Sequence, residues 1–270
     1  MCRLLAYLGA PIQPNTLIYD PEHSLELQSY CPKETVTTSV NADGVGLGWY
    51  GLSKRTEPFV YKSVLPIWAD RNLPHLGSYV DTQCFIAHIR SATPGQASNL
   101  SNCQPFSDKQ LLFAHNGFIE NFRDTLYLPI RRYLTDEVYR KVEGTTDSEH
   151  IFALIINELI INELIVKEII DNGSALRQAL VVCLETLEQL AAQENVTFSA
   201  NIVLSDGHRL VASRFARGVT APSLYVRSQT TRQQVSTLIA SEPLFPGEWH
   251  PLAAGTLLEA NLSEGVSGGV

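Results

Sequence analysis

Met1-Cys2-Arg3-Leu4-Leu5-Ala6-Tyr7 opens the chain, and the reading of this stretch decides the fold. A cysteine behind the initiator is small enough for methionine removal, so the mature chain is expected to begin at Cys2. One residue then carries a thiol and a free α-amine. An α-amine titrates near pKa ~8, so part of it is free base at neutral pH. It can take the thiol proton and later give it to a leaving amine. The residues behind Cys2 are apolar and loosely alternating, as in a strand that starts inside a core. The competing reading is a buried structural cysteine, and only partners elsewhere in the chain separate the two.

The chain has 270 residues, 44% of them hydrophobic. That suits a large core, and no linker-like shift in composition divides it, so one domain, 1–270, is expected. Net charge is −8 with no basic run, which argues against nucleic acid. The five cysteines (Cys2, Cys31, Cys84, Cys103 and Cys183) form no C-x-x-C pair. A zinc site is therefore not expected, nor any other cofactor. The odd cysteine count and the lack of a signal peptide point to the cytoplasm. The apolar run around 151–170 is broken by Asn157, Glu158, Asn162, Glu163, Lys167 and Glu168, so no membrane span is expected.

Strands are expected at 3–9, 35–41, 45–51, 59–64, 84–89 and 111–114, with Asn41-Ala42-Asp43-Gly44 as a hairpin turn. Gly46-Leu47-Gly48-Trp49-Tyr50-Gly51 matches a dinucleotide fingerprint in letters only, because the polar, Pro-broken stretch after it opens no helix. Alternate glycines in a strand instead let something approach one face closely. Residues 118–134 read as helical with an interruption at Pro129, and 145–171 as a long helix with acids in its first turn. Its echo, Ile155-Ile156-Asn157-Glu158-Leu159 then Ile160-Ile161-Asn162-Glu163-Leu164, rotates around the helix. Such a helix packs on more than one side or covers a homodimer contact. Ser174 caps a second helix, 175–193, with a one-sided apolar stripe. Ser205-Asp206-Gly207-His208 turns a hairpin, late strands follow near 224–227, 237–241 and 256–260, and 265–270 reads as a loose tail. Hairpins imply antiparallel sheets, so the expectation is an α+β protein of two stacked sheets with helices outside.

Four features read together suggest chemistry. Cys2 supplies thiol and amine. Asn116-Gly117, where a strand is expected to end, offers a side-chain NH₂ and an unshielded backbone N–H as an oxyanion hole. Arg90, at the end of a buried strand, can hold a carboxylate bidentately. Asp147, at a helix start, can hold an ammonium. Opposite charges on both sides would clamp a γ-glutamyl head with its carbonyl over the thiol. Each residue alone has a plainer reading: an ion pair, a turn, a helix-start acid. His88 and His115 flank these motifs and invite a Cys–His dyad, which the free amine makes unnecessary.

The chain resembles the class II glutamine amidotransferases, a family of N-terminal-nucleophile hydrolases. The resemblance rests on Met1-Cys2-Arg3, Ala87-His88-Ile89-Arg90-Ser91-Ala92-Thr93, His115-Asn116-Gly117-Phe118-Ile119-Glu120-Asn121 and Thr146-Asp147-Ser148-Glu149. It implies a four-layer αββα sandwich, Cys2 as nucleophile, Asn116 and Gly117 as the oxyanion hole, and Arg90, Thr93 and Asp147 around the γ-glutamyl head. Many members have tryptophan after the arginine and histidine after the threonine. Here Ser91 and Pro94 stand there, which implies a different pocket rim. A narrower set (Asp20-Pro21-Glu22-His23-Ser24-Leu25, Val40 to Tyr50, Pro66-Ile67-Trp68-Ala69-Asp70, Arg90 to Gly95, and Ser241-Glu242-Pro243-Leu244) is similar to the amidohydrolases of ergothioneine biosynthesis, which remove glutamate from γ-glutamyl-hercynylcysteine sulfoxide.

The expected partner is thus a small γ-glutamyl substrate with a leaving group larger than ammonia, since the sequence offers no synthase domain. Trp49, Tyr50, Trp68 and Trp249 are candidate faces for a quaternary ammonium. A glutathione-type γ-glutamyl peptidase, the glutaminase subunit of a complex, and a non-catalytic binding module that keeps Met1 are the alternatives.

Overall fold

The computed structural model describes residues 2–34, 40–52, 56–93, 96–161, 174–231, 234–262 and 265–269. Two antiparallel sheets face each other. At the centre of the first, seven-stranded sheet, β1 (Arg3–Ile12) lies between β4 (Thr82–Ile89) and β10 (Gln234–Ala240). Beyond β4 come β2 (Val45–Trp49) and β3 (Phe59–Ser63); beyond β10 come β9 (Tyr225–Thr231) and β11 (His250–Pro251). The second sheet has six strands: β13 (Gly265–Gly269), β12 (Thr256–Asn261), β8 (Arg209–Arg217), β7 (Phe198–Ser205), β6 (Leu111–Ile119) and β5 (Phe106–Asp108).

Side chains alternate across a strand, so each central strand feeds two cores. Leu4, Ala6 and Leu8 of β1 and Cys84 and Ile86 of β4 meet Leu112 and Ala114 of β6 and Ala212 of β8 between the sheets. Leu5 and Tyr7, with Phe85, Ala87 and Ile89, point the other way. They meet Leu17 and Ile18 of α1 (Asn15–Ile18), Leu25 of α2 (Leu25–Tyr30) and Leu73 of α3 (Asn72–Tyr79). On the far side, Phe113 of β6 and Phe198 of β7 pack under two long helices, α6 (Asp147–Ile161) and α7 (Ser174–Glu194). The shorter α4 (Tyr127–Tyr133) and α5 (Asp136–Tyr139) add Ile130 and Val138 there. This is the expected αββα sandwich. It also explains why the central strands read as unbroken apolar runs.

Several expected elements differ. Residues 118–134 are not one helix: β6 runs on to Ile119, and only Tyr127–Tyr133 is helical. β2 forms its hairpin with β3, and residues 35–39 of the strand expected before it lie outside the described residues. The expected tail 265–270 contributes β13, paired with β12. The strand at 111–114 extends through Asn116 and Gly117, because β7 offers them a full ladder: Asn116 is paired with Asn201 and Gly117 with Ala200. The long helix is described to Ile161, so most of the second half of its echo falls outside the described residues. Among the described residues no helix is long and apolar enough to cross a membrane, and no cluster suits a metal ion.

Candidate active site

The site gathers where β1 begins, β4 ends and β6 passes the start of α6. Cys2 precedes β1 and is half-buried. Its Sγ accepts a hydrogen bond from Ser91 N–H at 3.3 Å and donates toward Ser91 O at 3.6 Å. Antiparallel pairing of β1 with β4 sets this contact: Arg3 lies opposite Ile89, so Cys2 meets the chain just past Arg90. Burial is the largest influence on the thiol and raises its pKa above the usual value. The Ser91 N–H and the Arg90 charge pull it down, and Asp147 pushes it up. A thiol raised in this way is neutral at pH 7 and needs a base to become a nucleophile.

The Arg90 side chain is 3% exposed. Its guanidinium donates to Asp43 O at 3.4 Å, Ala97 O at 3.3 Å and Gln96 Oε1 at 3.2 Å. All three are neutral and all are long. A buried cation whose acceptors among the described residues are all neutral is poised for an anion. Asp43 meanwhile uses Oδ2 to accept Ala92 N–H at 2.8 Å, which shapes the loop behind Arg90. Thr93, further along that loop, is exposed. Its carbonyl accepts Gln96 N–H at 3.0 Å, and its side chain has no partner among the described residues.

The β6 edge explains the Asn116-Gly117 pair. In an antiparallel strand the N–H groups of alternate residues point to the same edge. The His115 N–H is taken by Gln104 Oε1 at 2.6 Å, and the Ile119 N–H by Asp147 Oδ2 at 2.9 Å. Both lie on the edge away from β7, because β5 pairs only as far as Phe113. Gly117 N–H lies on that edge between them, with no acceptor among the described residues. Asn116 projects into the gap between the sheets, on the face of Leu112 and Ala114. Its Nδ2 donates to Ser241 Oγ at 3.4 Å, while Oδ1 has no partner among the described residues. Gly117 needs no unusual φ. A Cβ there would collide with Ser199 O and the His115 ring, so glycine reflects close packing behind the strand.

Asp147 is the first residue of α6, 9% exposed. Besides Ile119 N–H, it accepts Ser148 N–H at 2.8 Å through Oδ1. Ser148 Oγ donates to the same oxygen at 3.4 Å, so the carboxylate ties the helix start to the β6 edge and keeps a spare lone pair on Oδ2.

The histidines are not bases for Cys2. His115 sits on the helix face of β6, with Nε2 donating to Ser199 O at 3.1 Å and Nδ1 at 2.9 Å from Ser148 Oγ. Burial lowers its pKa. Burial also drives His88 down to about 3 and His150 to about 4. These groups stay neutral in the fold and protonate readily only when it opens. Stability is therefore intact above the ordinary histidine pKa of ~6.5 and falls as pH drops below it. At pH 5, His88 and His150 should each cost roughly 2 kcal/mol. Urea unfolding should show a clearly lower midpoint at pH 5 than at pH 7, and equal midpoints would refute this account.

Sequence reasoning missed Gln104, and it quoted Arg3, Ser91, Ser148, Ser241 and Glu242 within motifs without giving them a role. Of the four candidate aromatics, Trp49 packs on Phe59 and Trp249 on Phe245. Tyr50 is buried, with its hydroxyl donating to Gln110 O and Ser205 O, away from Cys2. Only Trp68, 44% exposed and edge-on to Tyr30, keeps an open face.

The family model described as "Glutamine amidotransferases class-II" matches residues 1–221. The chain belongs to the class II glutamine amidotransferases. This family membership makes it an amidohydrolase. Over 96% of its length it is 28% identical to the probable glutamine amidotransferase DUG3 of Saccharomyces cerevisiae, covering 81% of that protein. It is 34% identical to the gamma-glutamyl-hercynylcysteine sulfoxide hydrolase of Mycolicibacterium smegmatis over 58% of this chain and 63% of that one. The match to its Mycobacterium tuberculosis counterpart spans 50% of that protein. Among solved structures, a class II glutamine amidotransferase domain protein from Silicibacter pomeroyi superposes with a TM-score of 0.68 at 27% identity, covering 99% of this chain and 98% of that one. Glutamine PRPP amidotransferase from B. subtilis shares the fold, with a TM-score of 0.63 at 15% identity over 49% of its length.

Proposed function

We propose that this class II amidotransferase homologue hydrolyses a γ-glutamyl amide, with mature Cys2 as the nucleophile. The observation that carries the reading is a convergence at the start of β1: Ser91, next to the buried Arg90, holds Cys2 Sγ, and Ser241 Oγ joins Leu4 N–H to Asn116, on the strand whose Ile119 N–H is held by Asp147. After loss of Met1, the Cys2 amine takes the thiol proton and the thiolate attacks the γ-carbonyl. The oxyanion is met by Gly117 N–H, and by Asn116 Nδ2 once it leaves Ser241. The amine returns the proton to the leaving nitrogen, then activates water to release glutamate. Arg90 holds the α-carboxylate and Asp147 the α-ammonium. Thr93 completes the head pocket from its loop.

For the leaving group we propose a hercynyl moiety, as in γ-glutamyl-hercynylcysteine sulfoxide, the substrate in the name of the mycobacterial relatives. Trp68 and Tyr30 form an exposed aromatic pair near the end of α2. Ser29 O, next to Tyr30, accepts Asn41 N–H, and Arg90 O accepts Asp43 N–H, so residues 41–43 link the end of α2 to the strand end that carries Arg90. A quaternary ammonium on such a face gains roughly 0.5–2 kcal/mol. A second reading, glutaminase activity, is favoured by the yeast relative, named a probable glutamine amidotransferase, whose alignment covers nearly the whole chain.

Glutamate release from γ-glutamyl-hercynylcysteine sulfoxide, glutathione and glutamine should separate these. We expect kcat/KM for the hercynyl compound to exceed that for glutamine by about tenfold or more, within the range of a desolvated cation–π contact. Equal turnover would reject the hercynyl assignment and leave the general amidohydrolase intact. Intact mass of the active sample should show Cys2 as the first residue.

A further inference from the structure

Ser241 and Glu242 follow β10 directly and are each 1% exposed. The sequence separates them from Cys2 by almost the whole chain, yet both reach the start of β1. Their side chains go to opposite faces of the sheet.

Glu242 lies on the helix side. Its Oε1 pairs with Arg3 at 3.1 Å, and Arg3 donates to Cys2 O at 3.0 Å. The carboxylate is held in turn by His23 at 2.6 Å, Lys33 N–H at 2.8 Å and Glu34 N–H at 3.0 Å. This matters for an N-terminal residue. Once Met1 has gone, no preceding peptide fixes the Cys2 amine. Its direction depends on rotation about Cα–C, and that rotation is set by where the Cys2 carbonyl points. Arg3 fixes the carbonyl, and Ser91 fixes the sulfur.

Ser241 lies in the gap between the sheets. Its Oγ accepts Leu4 N–H at 3.0 Å and stands 3.4 Å from Asn116 Nδ2, while Asn116 Oδ1 has no partner among the described residues. A hydroxyl whose lone pair is taken by Leu4 N–H still has its own proton to give. A half-turn of the amide would set Oδ1 against that proton and satisfy the orphaned oxygen. It would also free both Nδ2 hydrogens for a substrate oxygen.

We propose that Ser241 and Glu242 together are the positioning element of the reaction: Glu242, through Arg3, aims the Cys2 amine at its own thiol, and Ser241 turns the Asn116 amide so that its N–H faces the oxyanion. The proposal rests on the reading of Cys2 as nucleophile. It assigns neither residue a contact with substrate.

The test uses full-length protein with Met1 removed and γ-glutamyl-p-nitroanilide as probe. S241A should lower kcat about 100-fold, the scale of one oxyanion donor, with KM within about threefold, and S241T should recover most of the loss. E242Q should lower kcat similarly and shift the pH dependence of Cys2 alkylation by iodoacetamide, which a merely structural role would not move. If E242Q does not fold, R3K, which keeps the charge but loses the fork, should show the same shift. Parent-like kcat in S241A and E242Q, or losses that only follow the folded fraction with an unmoved alkylation profile, would overturn the brace. Loss of activity in these variants alongside a parent whose activity survives alkylation of Cys2 would overturn the nucleophile reading, and the brace with it.

Discussion

Cys2→Ala is expected to abolish glutamate release, by on the order of 10⁴-fold or more, the scale seen when a covalent nucleophile is removed. Binding of a γ-glutamyl ligand should survive. The change removes Sγ and its two contacts with Ser91, but leaves Arg90, Asp147 and the β6 edge in place. The amine remains too, and without the thiol it has nothing to activate. The proposed mechanism needs the amine, since burial raises the thiol above its usual pKa, both ring nitrogens of His115 are engaged, and the low pKa of His88 makes it a weak base. A variant in which Met1 stays attached should therefore be inactive with its cysteine intact. Turnover by Cys2→Ala at the parental rate would end the proposed mechanism.

Much of this was legible in the sequence because it is local. The alternating faces of β1 and β4 follow from runs such as Leu4-Leu5-Ala6-Tyr7-Leu8, which bury both sides. The apolar stripe of α7 is a matter of spacing within one helix. Arg90 and Asp147 stood out as charges at the ends of apolar segments. What sequence could not show depends on register between distant strands. Asn116-Gly117 looks like a turn in one dimension, and only the β7 partners Asn201 and Ala200 make it a strand. That change converts an exposed loop donor into an N–H on a free strand edge. Glu242 and Arg3 are ordinary charges in the sequence; their pairing across the fold is what buries both. Likewise, Tyr50 reads as a candidate face for a quaternary ammonium until its hydroxyl is found between Gln110 O and Ser205 O.

The second large effect is expected at Asp147, which has two jobs that must be separated. Its carboxylate braces α6 against β6 through Ile119 N–H and Ser148 N–H, and it is proposed to hold the substrate ammonium. Asp147→Ala would lose both. Asp147→Asn keeps the shape and one acceptor, but its NH₂ must oppose one of the two backbone donors, so a stability loss of ~1–3 kcal/mol is expected. The charge is lost entirely. Truncating one member of a buried charge pair costs about 2–5 kcal/mol, so KM for glutamine should rise by a factor of roughly 30 or more, with kcat far less affected. Glutaric acid monoamide, which is glutamine without its α-amine, provides the control. The parent should strongly prefer glutamine over it, whereas Asp147→Asn should treat the two nearly alike, because the interaction that tells them apart is gone. A loss of equal size with both amides would mean that Asp147 only supports the helix start, and that the ammonium is held elsewhere or not at all.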